Sequence, residues 1–393
     1  MRSSNTATEI FADRTPGDDA EEWSKDHPVF WLCSAALPVL TYLKYAPLRI
    51  SQNCARKWAC RADNWKTIGG RTDCRSGSWV GRVAALLGVL LFTLRATAQP
   101  LAQGFALERY YPAPPGAAWL VMDDLKLDGK LGAGLTVTTG YASRPYSVAL
   151  ADGSSRLDVV SHQAFVDVGM AVFYDRYRLS LNIADPLYTA GKSGTAAGYQ
   201  FTAPATDPGK YPDKVTDFRV GFDARLFGAL QDPLRLGLSA QLWVPSGERS
   251  LYGTDDTPRA MFRALFAGEL GMLTYAGHLG VHVRPLDESP APGTPRGSEL
   301  LFGVAAGSQF TVSRVSAVRA VVGPELWGAT AFRDIFGQYT SSVEALLGAR
   351  LERKDADGSH TLVKLGFGEG IHAQLGAPAW RAVLAVEVHD RVE

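Results

Sequence analysis

The sequence predicts an all-β chain: a transmembrane, antiparallel, up-and-down β-barrel of about 12 strands, built from residues 129–393. Three observations predict it. Segments of roughly ten residues alternate apolar and polar side chains with period two, the length and pattern of a tilted membrane-crossing strand. Beyond Pro100 no apolar run approaches the roughly 20 residues that a spanning helix needs. Connections alternate short and long along the chain, as two unequal membrane faces require.

In chain order the first element is a leader. From Arg82 the sequence reads VAALLGVLLFTL and then RATA-QP: a positive charge, a 12-residue apolar core, and small residues Ala96 and Ala98 on either side of Thr97. Residues 80–98 are therefore expected to be a secretory signal peptide, cleaved between Ala98 and Gln99; the core is too short to anchor in a bilayer. Residues 1–79 are rich in Arg, Ser, Trp and Cys and show no sustained period. They are expected to reflect a start codon assigned too early. No Met lies between Met1 and Met122, so a start near Val80 needs a non-ATG codon. The apolar run Val29–Leu43 is short for a span and contains Pro38, so it is read as incidental.

Composition fits export. Cys33, Cys54, Cys60 and Cys74 all precede residue 99, and a thiol-free remainder avoids unwanted pairing in an oxidising periplasm. Their spacings form no paired CxxC template, so no metal site is expected. Lys+Arg and Asp+Glu are equal at 40 each, and no basic stripe suggests a nucleic-acid partner.

Residues 99–128 follow, with YYPAPPG and Trp119, and are expected to form a periplasmic N-terminal arm, with a segment tucked into the lumen as the alternative. Strands are then expected at about 130–142, 161–174, 176–185, 215–228, 234–244, 259–269, 273–284, 299–311, 317–329, 341–353, 360–370 and 379–389. In 234–244, Leu234, Leu236, Leu238, Ala240, Leu242 and Val244 face one way and Arg235, Gly237, Ser239, Gln241 and Trp243 the other. Tight turns near Tyr174–Arg176, Ala229–Pro233, Leu270–Met272, Ser313–Ser316 and Lys354–Gly358 separate longer Gly/Pro-rich loops, notably 186–213 and 285–298, which would face out of the cell. Both chain ends then face the periplasm. A soluble all-β binding protein also alternates, but it would turn its oily face inward, whereas the polar face here carries Arg, Asp, Glu and Lys on many strands.

The stretch GELGMLTYAGHLGVHVRPLDESPAPGTPRGSELLFGVAAG, residues 268–307, resembles the N-terminal barrel region of OmpA-family outer-membrane proteins. FALERYYPAPPG at 105–116, GYQFTAP at 198–204, LWVPSGERSLYGTD at 242–255 and GAPAWRAVLAVEV at 376–388 are similar to the same group. The resemblance implies a barrel of the Gram-negative outer membrane. Many members add a peptidoglycan-binding domain; none of its residues carries over to a position here, so the resemblance does not extend to an envelope-tethering role.

Candidate chemistry is sparse. His278 and His282 share one face of a strand, about 13 Å apart by strand rise, too far to share one metal ion. No G-x-S-x-G elbow supports an outer-membrane hydrolase, and Asp123–Asp124 and Asp255–Asp256 lack calcium-loop spacing. Strand glycines such as Gly132, Gly134, Gly303 and Gly307 are read as permitting curvature and close strand approach. The weight falls on the inward face, whose candidate lumen-lining residues are Asp217, Arg219, Asp223, Arg225, Arg235, Arg263, His278, His282, Arg284, Glu325, Glu344, Arg350, Lys364 and Arg381. If these charges pair, the barrel is a closed structural element; if they segregate by sign, it is a narrow pore for small hydrophilic solutes. No catalysis, cofactor or nucleic acid is expected. The expected partners are outer-membrane lipid and lipopolysaccharide, the barrel-assembly machinery and cell-wall proteins.

Overall fold

The computed structural model describes residues 100–127, 129, 131–149, 156–196, 198–204, 206, 215–286, 297–313, 317–355, 358–372 and 376–390. The expected leader 1–79, the signal peptide 80–98 and its junction at Ala98 and Gln99 lie outside the described residues, as does most of the loop 285–298.

Twelve strands close into one antiparallel barrel: β1 (Gly132–Ala149), β2 (Arg156–Tyr174), β3 (Tyr177–Ala190), β6 (Phe218–Phe227), β7 (Arg235–Val244), β8 (Arg259–Leu270), β9 (Leu273–Val283), β10 (Glu299–Ser313), β11 (Val318–Ala331), β12 (Ser341–Lys354), β13 (His360–His372) and β14 (Trp380–His389). Each pairs with its sequence neighbours in the wall, and β1 closes on β14, with Val137 opposite both Val168 and Val386. The two remaining strands, β4 (Gly194–Ala196) and β5 (Tyr199–Phe201), form a hairpin inside the long β3–β6 connection. Polar composition hid this hairpin, because three residues per strand are too few to show a period.

Period two fixes which side of the wall each residue occupies. Leu179, Leu279 and Leu347 point outward and are 56%, 58% and 61% exposed, while Arg235 and Arg381 point inward and are fully buried. Soluble proteins rarely expose an apolar patch above a few hundred Å². A continuous apolar belt around a closed barrel is the membrane-spanning arrangement, since lipid supplies the apolar surroundings that water does not. Aromatic side chains mark both ends: Tyr177 stacks on Phe222 near the short turns, and Trp380 packs between Tyr141 and Phe367 toward the long loops.

β1 and β2 run further than period two alone indicates. Their pairing shifts register between Ser143 and Tyr146 and again between Tyr146 and Val148. Each irregularity breaks the alternation by which the strand was read to stop near residue 142.

The apolar core lies inside the barrel. Tyr110, Trp119, Leu120, Val121 and Met122 pack there against Phe165, Val321, Trp327, Leu346 and small wall residues such as Ala267, Ala305 and Ala385. Residues 102–127 therefore do not extend as a periplasmic arm; they occupy the lumen. A 12-stranded wall encloses more space than its own side chains fill, and buried wall charges need partners, which this segment supplies. β1 begins and β14 ends at the same, short-turn end, while Pro100 lies at the long-loop end, beside β5.

Candidate functional site: the occupied lumen

Every expected lumen-lining residue faces the interior. Asp217, Arg219, Asp223, Arg235, Arg263, His278, His282, Arg284, Glu325, Glu344, Arg350, Lys364 and Arg381 are buried and Arg225 is half-buried. The structure brings most of them onto residues 102–127, here termed the plug.

The plug enters at the long-loop end. Ala106 N–H donates to Asp255 Oδ1 at 2.7 Å and Leu107 N–H to the Tyr252 carbonyl at 3.0 Å. Arg109 bonds Glu299 at 2.7 Å, and Glu108 bonds Arg381 at 3.0 Å. Below this, Arg219 donates to the Pro112 carbonyl at 2.9 Å. The segment reaches the short-turn half at Pro115, turns back through Ala117 and Trp119 to mid-wall at Leu120–Met122, then descends again to Leu127, whose carbonyl accepts from Arg225 at 2.8 Å. The turn is held internally, Ala113 N–H donating to the Leu120 carbonyl at 2.9 Å.

Wall side chains address the plug mainly through its backbone. Glu325 is the clearest case: Oε1 accepts from Leu120 N–H at 2.7 Å, and Oε2 from Val121 and Met122 N–H at 2.9 and 3.1 Å. Lys364 Nζ donates to the Ala117 carbonyl at 2.7 Å while pairing with Glu387 at 2.8 Å, and Glu387 accepts from Gly116 N–H at 2.6 Å. Arg178 joins Asp223 (2.8 Å), Asp123 of the plug and the Pro115 carbonyl. Arg235 donates to the Asp124 carbonyl at 3.0 Å. An irregular segment inside a barrel leaves its amides and carbonyls without ladder partners, and these charged groups meet that need.

Outside the spanning strands, Asp255 shows the electrostatics. Burial pushes its carboxyl up, but Arg284, bonding both oxygens at 2.7 and 2.8 Å, with Arg259 nearby and the Ala106 amide, outweighs it and holds the group down at about 2. His282 does not meet His278 at a shared ligand; it sits under Trp243 and Tyr111 with ring centroids at 5.1 and 5.9 Å, and 3.6 Å from Glu299.

Sequence reasoning missed the role of the strand glycines. A Cβ at Gly134 would lie 2.8 Å from Pro115, at Gly237 2.7 Å from Leu125, at Gly303 2.5 Å from Met122, at Gly307 2.9 Å from Trp119 and at Gly366 2.5 Å from Leu120. These inward positions are sockets that receive plug side chains. The available signal was the recurrence of Gly at inward-facing parity on separate strands, which means little until something is placed in the lumen.

Alongside the upper and middle plug the space left is small. A cavity of about 70 Å³ lies beside the upper plug, lined by Glu108, Tyr110, Tyr111, Gln163, Asp167 and Arg219 among others, and one of about 20 Å³ lies near Val121, Arg263 and His278. The short-turn end opens into a vestibule of about 1320 Å³, lined by Lys126, Glu269, Gln309, Arg319, Glu352 and His360.

No family model matches the chain, including the resemblance at residues 268–307, and no curated protein matches it. Among solved structures the chain is similar to an outer-membrane channel from Pseudomonas putida, at 13% identity and TM-score 0.45, covering 71% of this chain and 99% of that one. It is also similar to the NanC porin, at 9% identity and TM-score 0.38, covering 66% and 100%. A third is the translocator domain of the autotransporter NalP from Neisseria meningitidis, at 12% identity and TM-score 0.37, covering 79% and 98%.

Proposed function

We propose that this chain is a barrel of the Gram-negative outer membrane, held closed by its own residues 102–127, with an envelope-structural role and no catalysis. The observation that carries this reading is the seated plug: wall charges pair with it and with one another, and the two cavities alongside its upper and middle parts are only about 70 and 20 Å³. Paired charges were the condition set by the sequence for a closed barrel. Its partners in this role are lipid and lipopolysaccharide on the outer belt and the assembly machinery during insertion.

The vestibule favours a second reading, a narrow pore for small hydrophilic solutes that opens when the plug leaves its seat. The two differ in a planar bilayer. Residues 99–393, inserted with insertion verified independently, are expected to pass no steady current over a range of salt and voltage. Discrete, stable conductance steps from the intact chain would replace the closed-barrel reading with the pore.

A further inference from the structure

The plug crosses the whole barrel, and its direction has a functional consequence. At one end, Gly129 accepts from Asp175 N–H in the β2–β3 turn at 2.8 Å, and Lys126 pairs with Glu269 at 2.9 Å near the β8–β9 turn. At the other, Pro100–Ala102 lies parallel to β5 through a single bridge between Leu101 and Gln200: Ala102 N–H donates to the Gln200 carbonyl at 2.8 Å, and Gln200 N–H to the Pro100 carbonyl at 3.1 Å. β5 belongs to the longest connection, on the opposite side of the wall from the tight turns.

A separate apolar core fixes this end. Ala102, Phe105 and Leu107 pack with Tyr146, Val159, Phe201 and Tyr252 above the lumen, Phe105 meeting Tyr146 edge-on at 5.5 Å. Burial of these apolar side chains away from water holds the start of the plug in its own small core. Leu101, by contrast, points away and is 61% exposed.

We infer that the barrel carries the start of its own plug across the membrane, so that Pro100–Ala102 lie at the cell surface and a peptide joined in front of them is displayed there. This rests on the outer-membrane reading, in which long loops face outward and short turns face the periplasm.

The lack of cysteine beyond residue 98 makes the test clean. In the full chain with Cys33→Ser, Cys54→Ser, Cys60→Ser and Cys74→Ser, single cysteines are placed at Leu101→Cys, at Phe336→Cys in the β11–β12 connection and at Met272→Cys in the β8–β9 turn, the last two sites being 68% and 63% exposed. Intact Gram-negative cells expressing each variant are treated with a membrane-impermeant maleimide, before and after permeabilisation. Leu101→Cys is expected to label in intact cells to the same extent as Phe336→Cys, while Met272→Cys labels only after permeabilisation. A Leu101→Cys that follows Met272→Cys, or fails to label in either state, overturns the inference while the barrel's orientation stands. Exchange of behaviour between Phe336→Cys and Met272→Cys, or equal labelling of all three without permeabilisation, instead overturns the orientation or membrane reading beneath it. A short epitope inserted between Gln99 and Pro100 gives a second readout, expected to bind antibody on intact cells; binding only after permeabilisation counts against the inference.

Discussion

Glu325→Gln tests whether the wall holds the plug by charge-assisted bonds to backbone. The native carboxylate accepts three amides, Leu120 on one oxygen and Val121 and Met122 on the other. Glutamine keeps one acceptor oxygen and puts an NH₂ group in place of the other. Turned one way, it loses Leu120; turned the other way, it loses Val121 and Met122, and in either case a donor faces a donor. A hydrogen bond to a charged group contributes about 1.5–3 kcal/mol and a neutral one about 0.5–1.5. Losing one outright and weakening the other two costs about 3.5–6 kcal/mol. At about 1.4 kcal/mol per tenfold, local release of the plug rises by roughly several hundred-fold to 10⁴-fold. Hydrogen exchange of the Leu120–Met122 amides in lipid nanodiscs reads this directly, and Gln is close enough in shape to leave the β11 wall unchanged. Exchange indistinguishable from wild type would refute the charge-assisted clamp.

Three further outcomes are expected. Arg178→Met leaves Asp123 and Asp223 buried without their shared cation, a loss of about 3–5 kcal/mol that lowers the unfolding temperature in detergent; adding Asp123→Asn and Asp223→Asn should recover part of it, and no recovery would contradict the pairing. Gly307→Val places its Cβ 2.6 Å from the Val322 carbonyl and 2.9 Å from Trp119, so it should shift Trp119 fluorescence and destabilise by about 1–3 kcal/mol, whereas Gly303→Ala, which meets the flexible end of Met122, should cost less; equal effects would argue against distinct sockets. Asp255 lies near 2 when folded against an ordinary 3.8, so its contribution of about 2.5 kcal/mol is present above pH 4 and lost as pH falls from about 4 to 2. Exchange at Ala106 should rise across that window, and Asp255→Asn should abolish the dependence.

The wall was legible because each strand announces its two faces locally. The expected 234–244 meets Arg235–Val244, and 299–311 meets Glu299–Ser313. Side-chain parity likewise assigned Arg235, Glu325, Lys364 and Arg381 to the interior without reference to any other element. What those groups do was not legible, because their partners are remote in sequence. Arg381 bonds Glu108 across 273 positions and Lys364 bonds Ala117 across 247, and residues 102–127 carry no period that points to either. A proline- and glycine-containing stretch reads the same whether it hangs in solvent or threads a barrel; only the surplus of buried charge facing it separates the two.

A tube of paired strands resists stretching along its hydrogen bonds but flattens easily, since strands pivot on their neighbours. Arg178 on β3, Arg235 on β7, Glu325 on β11 and Lys364 on β13 reach inward from separate sectors of the wall and fasten to one central segment. They act as spokes on a hub. Lateral pressure on the wall would have to break several charge-assisted bonds before the cross-section became oval. The same chain that fills the barrel therefore helps set its roundness, and a barrel emptied of it would be a softer cylinder.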